Sequence, residues 1–535
     1  MRTYTGAIIL KELRAMSRQQ FYYWLRFGYI ILLLSMIVTT WIVFMHYKPS
    51  SSVVLTVAGM GTISSSIVLK IMEFQFLITQ LLAIVFLSDS MSAEKRKCSL
   101  EILLSTKISA FEIVLGKLIA GLLPVITLLL ISVPLLGIIR LWGGVQWDFV
   151  IVKTVITLCA VVLIGMLTLL GSMFVQHSHR LMVIMSIFLV IVYFVSYMVL
   201  PILKVFSIGV RNIMIWSNPY LMYAHINTLF NTKSSYDPVL LQNNCIYHVL
   251  VILFFTFILL CISALLVRRC AVNGFKMKFA LLKHRNTSRQ LRRVRGSCIL
   301  WLNLRGPVWR TLAGYTGIYL VFGIAMLVMG LTCIENGPVG PVFMAWSGGI
   351  RGFWIICTVL TVASAAISIG QYKDTRTWPL LLSTVIPRGR IIRDLALAAL
   401  IRHIGAWLIL VLNSVLQWWI IYAQNDLRTS FDTYFNLCIL FASVPVYIVF
   451  LIGTGMFLAV HSKTGTMAVL LSLAFVVCHF MLTERIFWDL ASIIFSYRNH
   501  TTRIVLQITM QAFNLTLGIT GLILARRSLQ SKCIS

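Results

Sequence analysis

Three groups of residues in this 535-residue chain have types and spacings suited to chemistry. The first is Asp89–Lys117, DSMSAEKRKCSLEILLSTKISAFEIVLGK, in which Glu94, Lys95, Arg96, Lys97 and Glu101 flank an apolar knob, Ile102-Leu103-Leu104, followed by Ser105 and Thr106. Mixed charge around an apolar knob suits docking of a protein partner; the bland reading is a solvated loop. A weaker copy, Gln371–Asp394, lies in the second half of the chain. There Leu381-Leu382-Ser383-Thr384 aligns with Leu103-Leu104-Ser105-Thr106, Ile386 with Ile108 and Ile391 with Ile113. Recurrence favours docking over a chance loop. The third group is polar residues inside apolar runs. Glu73 and Gln80 are seven apart and share a helix face, as do Asn413 with Gln417, and Gln507 with Gln511 and Asn514. Such groups line a substrate path or hydrogen-bond between helices as packing, and packing is the simpler reading. His403 and His479 stand alone. No H-E-x-x-H and no phosphate-cradling G-x-x-x-x-G-K-[ST] occurs, so no catalytic residues, metal site or nucleotide site is expected in this chain.

The elements that hold these residues follow from composition. The chain is 59% hydrophobic and 11% charged, far below the charge of a soluble domain, which implies an all-α polytopic membrane protein. A span needs about 20 apolar residues. Twelve runs qualify: 27–46, 66–88, 118–139, 150–174, 182–203, 246–267, 314–334, 352–371, 403–423, 435–459, 464–483 and 504–525. The net charge of +30 suits basic loops on one side of a membrane, and nucleic acid is not an expected partner. Lys and Arg concentrate in the N-terminal segment, both hairpins, the linker and Arg526-Arg527, which places both termini inside. Ile9, Leu13 and Met16 oppose Lys11, Arg14 and Arg18, as in a helix lying in the headgroup plane.

Two halves follow: 1–267 with six spans, a basic linker 268–300, and 301–535 with six more. An even number per half makes the repeat parallel. The stretch 268–295 carries ten Lys or Arg and no acid, suited to lying on anionic headgroups. The longest outer segment, about 204–245, reads as a loop. Of the eleven cysteines, Cys245 and Cys333 fall near the far side and could pair.

The hairpin Asp89–Lys117 resembles the first cytoplasmic loop of type-2 ATP-binding-cassette (ABC) exporter permeases. The matching residues are Ser92, Glu94, Lys95, Ser99, Leu100, Glu101, Leu103, Leu104, Ser105, Thr106, Ile108, Ser109, Glu112, Ile113, Gly116 and Lys117. Lys11-Glu12-Leu13-Arg14 before the first span is similar to the family's amphipathic lead-in helix, and so is Asn303–Arg310 before the seventh. Cys98 and Lys107 depart from the family's Gly and Pro. In the second copy Tyr372 faces Glu94 and Pro379 faces Glu101. The resemblance implies a permease subunit whose two six-helix halves are fused, so that homodimerisation is not required. It implies a separate cytoplasmic ABC ATPase dimer, carrying ATP and Mg, docked on Glu94, Lys95, Arg96, Glu101, Leu103, Leu104, Ser105, Thr106 and on Leu381, Leu382, Ser383, Thr384. The expected compartment is a bacterial cytoplasmic membrane. An ion-coupled secondary transporter built on Glu73 is the alternative.

Overall fold

The computed structural model describes residues 20–46, 53–96, 104–105, 108–141, 143–175, 178–202, 207–231, 238–272, 297–305, 341–374, 376–424, 431–462, 464–480 and 500–531, with isolated positions before 20 and between 323 and 331. Its helices are α1 (Gln20–His46), α2 (Val53–Ser88), α3 (Ser90–Arg96), α4 (Ala110–Arg140), α5 (Trp147–Phe174), α6 (Ser178–Ile202), α7 (Ile208–Ser217), α8 (Pro219–Asn231), α9 (Pro238–Val272), α10 (Cys298–Arg305), α11 (Pro341–Asp374), α12 (Trp378–Leu382), α13 (Arg388–Gln424), α14 (Phe431–His461), α15 (Gly465–Phe480) and α16 (His500–Ser531). No strand occurs among the described residues.

Eight helices among the described residues are long and apolar enough to cross a membrane: Ser64–Ser92, Ala110–Arg140, Trp147–Phe174, Leu241–Val267, Phe353–Lys373, Arg388–Ile420, Ser443–His461 and Ile508–Ser528. The chain is an all-helical, integral multi-pass membrane protein. Shorter apolar helices, Leu25–Val38 and Met467–Val476, fall within two more of the expected spans, and α6 covers a third. Most of the expected span 314–334, most of the amphipathic segment before residue 20 and the linker from 273 to 296 lie outside the described residues.

The chain divides into two compact units: Met1–Ser186, Val199–Lys283 and Met481–Phe495 form one, and Ile187–Met198, His284–Phe480 and Ser496–Ser535 the other. In the first unit α2 packs on α1, α4 and α5, and α9 packs on α5 and α4. In the second unit α11 packs on α13 and α14, and α16 packs on α14 and α13. These helices are apolar on both their packed and their outer faces, with Ile67, Val68, Ile71 and Met72 buried on α2 and Leu250, Phe254 and Phe257 exposed on α9, which is why periodicity along them is weak.

Chain reversal between α4 and α5 uses Gly143 and Gly144, whose φ values of 86° and 82° are left-handed. A Cβ on Gly144 would stand 2.1 Å from the Gly61 carbonyl oxygen, so the turn docks directly on the start of α2. Ser65 Oγ donates to the Gly144 carbonyl (2.9 Å), and Ser64 Oγ to Ile139 (3.0 Å).

In the second unit α14 and α16 meet through glycines. A Cβ on Gly453 would lie 2.1 Å from Gly518 O, and one on Gly518 would lie 2.8 Å from Phe450 Cα. Backbone on both sides cannot yield as a side chain would. Gly518→Leu is therefore expected to cost about 3 kcal/mol, the upper range for overpacking. Thermal unfolding of the detergent-solubilised protein checks it: a midpoint unchanged from wild type would mean that the two helices are not held at this distance.

Candidate functional site

The first charged hairpin begins where α2 ends. After a turn at Asp89, α3 runs over the C-terminal end of α5. There Ser92 is fully buried, and its hydroxyl lies 3.2 Å from the Ser172 carbonyl, 3.0 Å from Val175 and 3.3 Å from Ser88. The last carbonyls of a helix have no partner within it, so a hydroxyl aimed at them ties the hairpin arm to that helix end. Glu94 is largely withdrawn from solvent. Its Oε1 accepts from Lys117 Nζ at 3.0 Å, and the same ammonium donates to the Ser90 carbonyl at 3.1 Å. The two side chains are 13% and 3% exposed, so α3 is pinned to the first turns of α4 by a buried ion pair.

The returning arm starts with a capping box. Ser109 Oγ accepts from the Glu112 amide (3.2 Å), and Glu112 Oε2 accepts from the Ser109 amide (3.0 Å). Between the arms Leu104 is half-buried and Ser105 exposed, both helical. Lys95 and Arg96 continue α3. Glu101, Leu103 and Thr106 lie outside the described residues.

The second hairpin repeats this arrangement with different side chains. Lys373, in the last turn of α11, donates to the carbonyls of Ala459 (2.7 Å), Val460 (2.8 Å) and Ser462 (2.6 Å) at the C-terminal end of α14. A cation at the negative end of a helix dipole is favourably placed. Tyr372, which faces Glu94 in the repeat, uses its hydroxyl on Asn303 of α10: Asn303 Nδ2 donates to it at 3.2 Å, and Gln371 donates to Asn303 Oδ1 at 3.2 Å. Arg402 of α13 donates to the Asn303 carbonyl at 2.5 Å. Asn303 therefore joins the short helix α10 to both arms of the hairpin.

Arg376 takes a left-handed conformation (φ 55°) and turns the chain from α11 toward α12. α12 leads to a tip, Ser383-Thr384-Val385, that projects into solvent. Val385 is fully exposed, Leu380 is 67% exposed, and Leu381 and Leu382 are half-buried.

A buried polar cluster lies toward the opposite end of the first unit. Here the region expected as a loop forms α7 and α8. One face of α8, Tyr220, Tyr223 and Asn227, meets one face of α2, Glu73, Phe76 and Gln80. Tyr220 donates to Gln80 Oε1 at 2.5 Å, and Gln80 Nε2 donates to the Phe76 carbonyl at 2.8 Å. Burial raises the pKa of the Tyr220 hydroxyl, so it stays a donor. Phe76 stacks on Tyr223 at 4.1 Å.

The third wall is α5. Lys153, 1% exposed, bonds Asn227 Oδ1 and lies 3.9 Å from the ring centre of Tyr223 and 5.0 Å from that of Phe149. Half-buried Glu73 acts on it electrostatically. The face shared by Glu73 and Gln80 was legible in the spacing, but Lys153 was not singled out. A single lysine inside an otherwise apolar run was the available signal. α7 closes the cluster from α9: Trp216 Nε1 donates to Asn244 Oδ1 at 3.0 Å, and its carbonyl lies 2.7 Å from His248 Nδ1.

No protein-family model matches the sequence, and no similar curated protein is found.

The remaining polar positions pair within the second unit. Asn413 Nδ2 donates to the carbonyls of Ile409 (3.0 Å) and Gly323 (3.3 Å), and Trp346 donates to Asn413 Oδ1 at 3.4 Å. Asn514 Oδ1 meets His479 Nε2 at 2.9 Å, and His403 Nε2 meets Ser364 Oγ at 2.8 Å. Apart from the Asn413–Ile409 bond, which lies within α13, these are contacts between helices. Gln417 and Gln511 are half-buried, and Gln511 Oε1 lacks a hydrogen-bond partner among the described residues. The side chain of Gln507 lies outside the described residues. Cys245 is buried and free, and Cys333 lies outside the described residues. No group of three or more His, Cys, Asp or Glu gathers among the described residues.

Proposed function

We propose that this chain is the membrane-spanning permease subunit of an ABC exporter. Its two six-helix halves are parallel repeats, and a separately encoded cytoplasmic ATPase dimer docks on the two hairpins. The observation that carries the reading is the shared attachment of the hairpins. Each arm grips the C-terminal end of a long apolar helix further along the chain, through Ser92 on α5 and through Lys373 on α14. A load on either hairpin is thereby transmitted to a spanning helix. Rigidity of the lever comes from the Glu94–Lys117 pair in one half and the Asn303 node in the other.

The helix pairings support the repeat. α2 with α4 and α5, and α9 with α5 and α4, have their counterparts in α11 with α13 and α14, and α16 with α14 and α13. The exposed apolar tip of the second hairpin, Leu380 and Val385, suits insertion into a groove of the ATPase. In this mechanism the partner supplies ATP and Mg chemistry. The chain converts closure of the ATPase dimer into movement of α5 and α14, and with them of the helices they pack on, so that access to the substrate alternates.

The test is purification of the tagged protein in mild detergent with its co-eluting partners, assayed for ATP hydrolysis. A stoichiometric soluble ATPase is expected. Leu380→Asp with Val385→Asp is expected to reduce its recovery at least about tenfold, since two buried apolar contacts are together worth more than about 1.4 kcal/mol. Both positions are exposed, so the fold is expected to survive. Undiminished recovery would remove the second tip from the docking surface.

The Glu73–Lys153 cluster favours a second reading, an ion-coupled carrier, because ionisable groups within spans are otherwise costly. That reading expects no co-purifying ATPase, and uptake into vesicles that depends on a proton or sodium gradient and is abolished by Glu73→Gln.

A further inference from the structure

At the hairpin end of the second unit, the first turns of α13 and the last turns of α16 come together. A Cβ on Gly389 would stand 3.0 Å from Arg526 Nε. Around this contact lie Arg390, Arg393, Arg526 and Arg527, all exposed. The first turn of α13 holds no acid. The neighbouring carboxylate is Asp394, which is buried, accepts a hydrogen bond from Ser297 and lies 3.7 Å from Arg393 Nε. It offsets one of the four charges, and the positive end of the α13 dipole adds to the rest.

Apolar exposure begins directly below the guanidinium groups. On α13, Leu397 is 38% and Ile401 47% exposed; on α16, Ile523 is 45% and Ile519 44% exposed. One helical turn, about 6 Å, separates each arginine cluster from its apolar stripe. A soluble acidic partner would make no use of those stripes. A molecule with a phosphate head and acyl chains matches both parts.

We propose that this corner binds an anionic glycerophospholipid. The phosphate is held by Arg390, Arg393, Arg526 and Arg527, which present forked donors suited to phosphate oxygens, and the acyl chains lie along Leu397, Ile401, Ile519 and Ile523. The inference needs only a membrane-embedded chain and is independent of the ATPase reading.

The test is lipid binding to the full chain in mild detergent, followed by native mass spectrometry. The probes are phosphatidylglycerol and phosphatidylcholine with identical acyl chains. Wild type is expected to prefer phosphatidylglycerol by about tenfold or more, given the contribution of each arginine at a membrane surface. Replacing all four arginines with Gln is expected to abolish the preference. Replacing them with Lys is expected to keep part of it, because charge survives while the fork is lost.

The single changes Arg390→Gln and Arg526→Gln, at exposed positions, are each expected to lower the preference severalfold; this holds whether or not the fourfold variant folds. Arg211→Gln, on α7 of the first unit, serves as the single-change control and is expected to leave the preference intact. Four results would each overturn the site: no preference in wild type, an unchanged preference in the single variants, an equal loss in the Arg211 control, or full competition by inorganic phosphate, which would make it a free-phosphate site.

Discussion

Glu94→Ala is expected to destabilise the protein by about 3 kcal/mol, the low end of the cost of breaking a buried ion pair. The cost comes from the ammonium left behind. Lys117 is 3% exposed at its side chain and cannot swing into water, whereas Glu94, at 13%, reaches some solvent. Lys117→Met should therefore cost less than Glu94→Ala. The double variant Glu94→Ala with Lys117→Met should cost less than the sum of the two, because neither charge remains buried and unmatched. Thermal unfolding in detergent reads all three. Equal costs for the two single variants, or strict additivity, would mean that the pair does not hold α3 to α4.

The same series separates structure from coupling. The proposed lever needs α3 fixed to α4, so the double variant is expected to recover stability without recovering partner-stimulated transport. If the double variant recovers both, the hairpin is structural support and not a lever. A Glu94 that acted by touching the ATPase directly would lose coupling at wild-type stability, which the burial of the pair argues against.

The second large effect is at Lys153. Lys153→Ala is expected to cost about 3 kcal/mol. Loss of the buried aliphatic stem alone is worth about 2 kcal/mol or more. Loss of the ammonium from the faces of Tyr223 and Phe149 adds about 1–2 kcal/mol, offset in part because a buried charge is removed. Lys153→Met keeps the stem and loses the charge, so it should be more stable than Lys153→Ala by about 2 kcal/mol. Release of α8 should accompany the loss: limited proteolysis is expected to cut between α7 and α9 faster in Lys153→Ala than in wild type. Unchanged cleavage would show that Tyr220 with Gln80, and Phe76 with Tyr223, hold α8 without the lysine.

Much of this protein was legible in its residue order. The apolar runs announce a multi-pass helical membrane protein, because hydrocarbon admits a backbone only when its polar groups bond within the segment. The span Trp147–Phe174 follows from that to within a turn, whereas Ala110–Arg140 begins about two turns before the expected 118 because its first residues belong to the charged hairpin. The S-x-x-E pattern of Ser109 and Glu112 ahead of an apolar run also signals the capping box that the structure forms, although both residues enter the sequence expectations only through the hairpin's resemblance. The common face of Glu73 and Gln80 follows from helical spacing.

Tertiary structure alone decided what those residues touch. Glu94 looked like a surface charge, since local sequence does not say that Lys117 will fold back over it from the next helix. Lys373 was one basic residue among many until its ammonium met the end of α14, far along the chain. Residues 208–231 hold no apolar run long enough to span and so read as a loop along the chain, and their helices owe their place to Gln80, Lys153 and Asn244 on three other helices. The physical reason is common to all three. Along one helix a polar residue announces only that it needs a partner, and the partner is chosen by packing between helices, which a one-dimensional pattern does not contain.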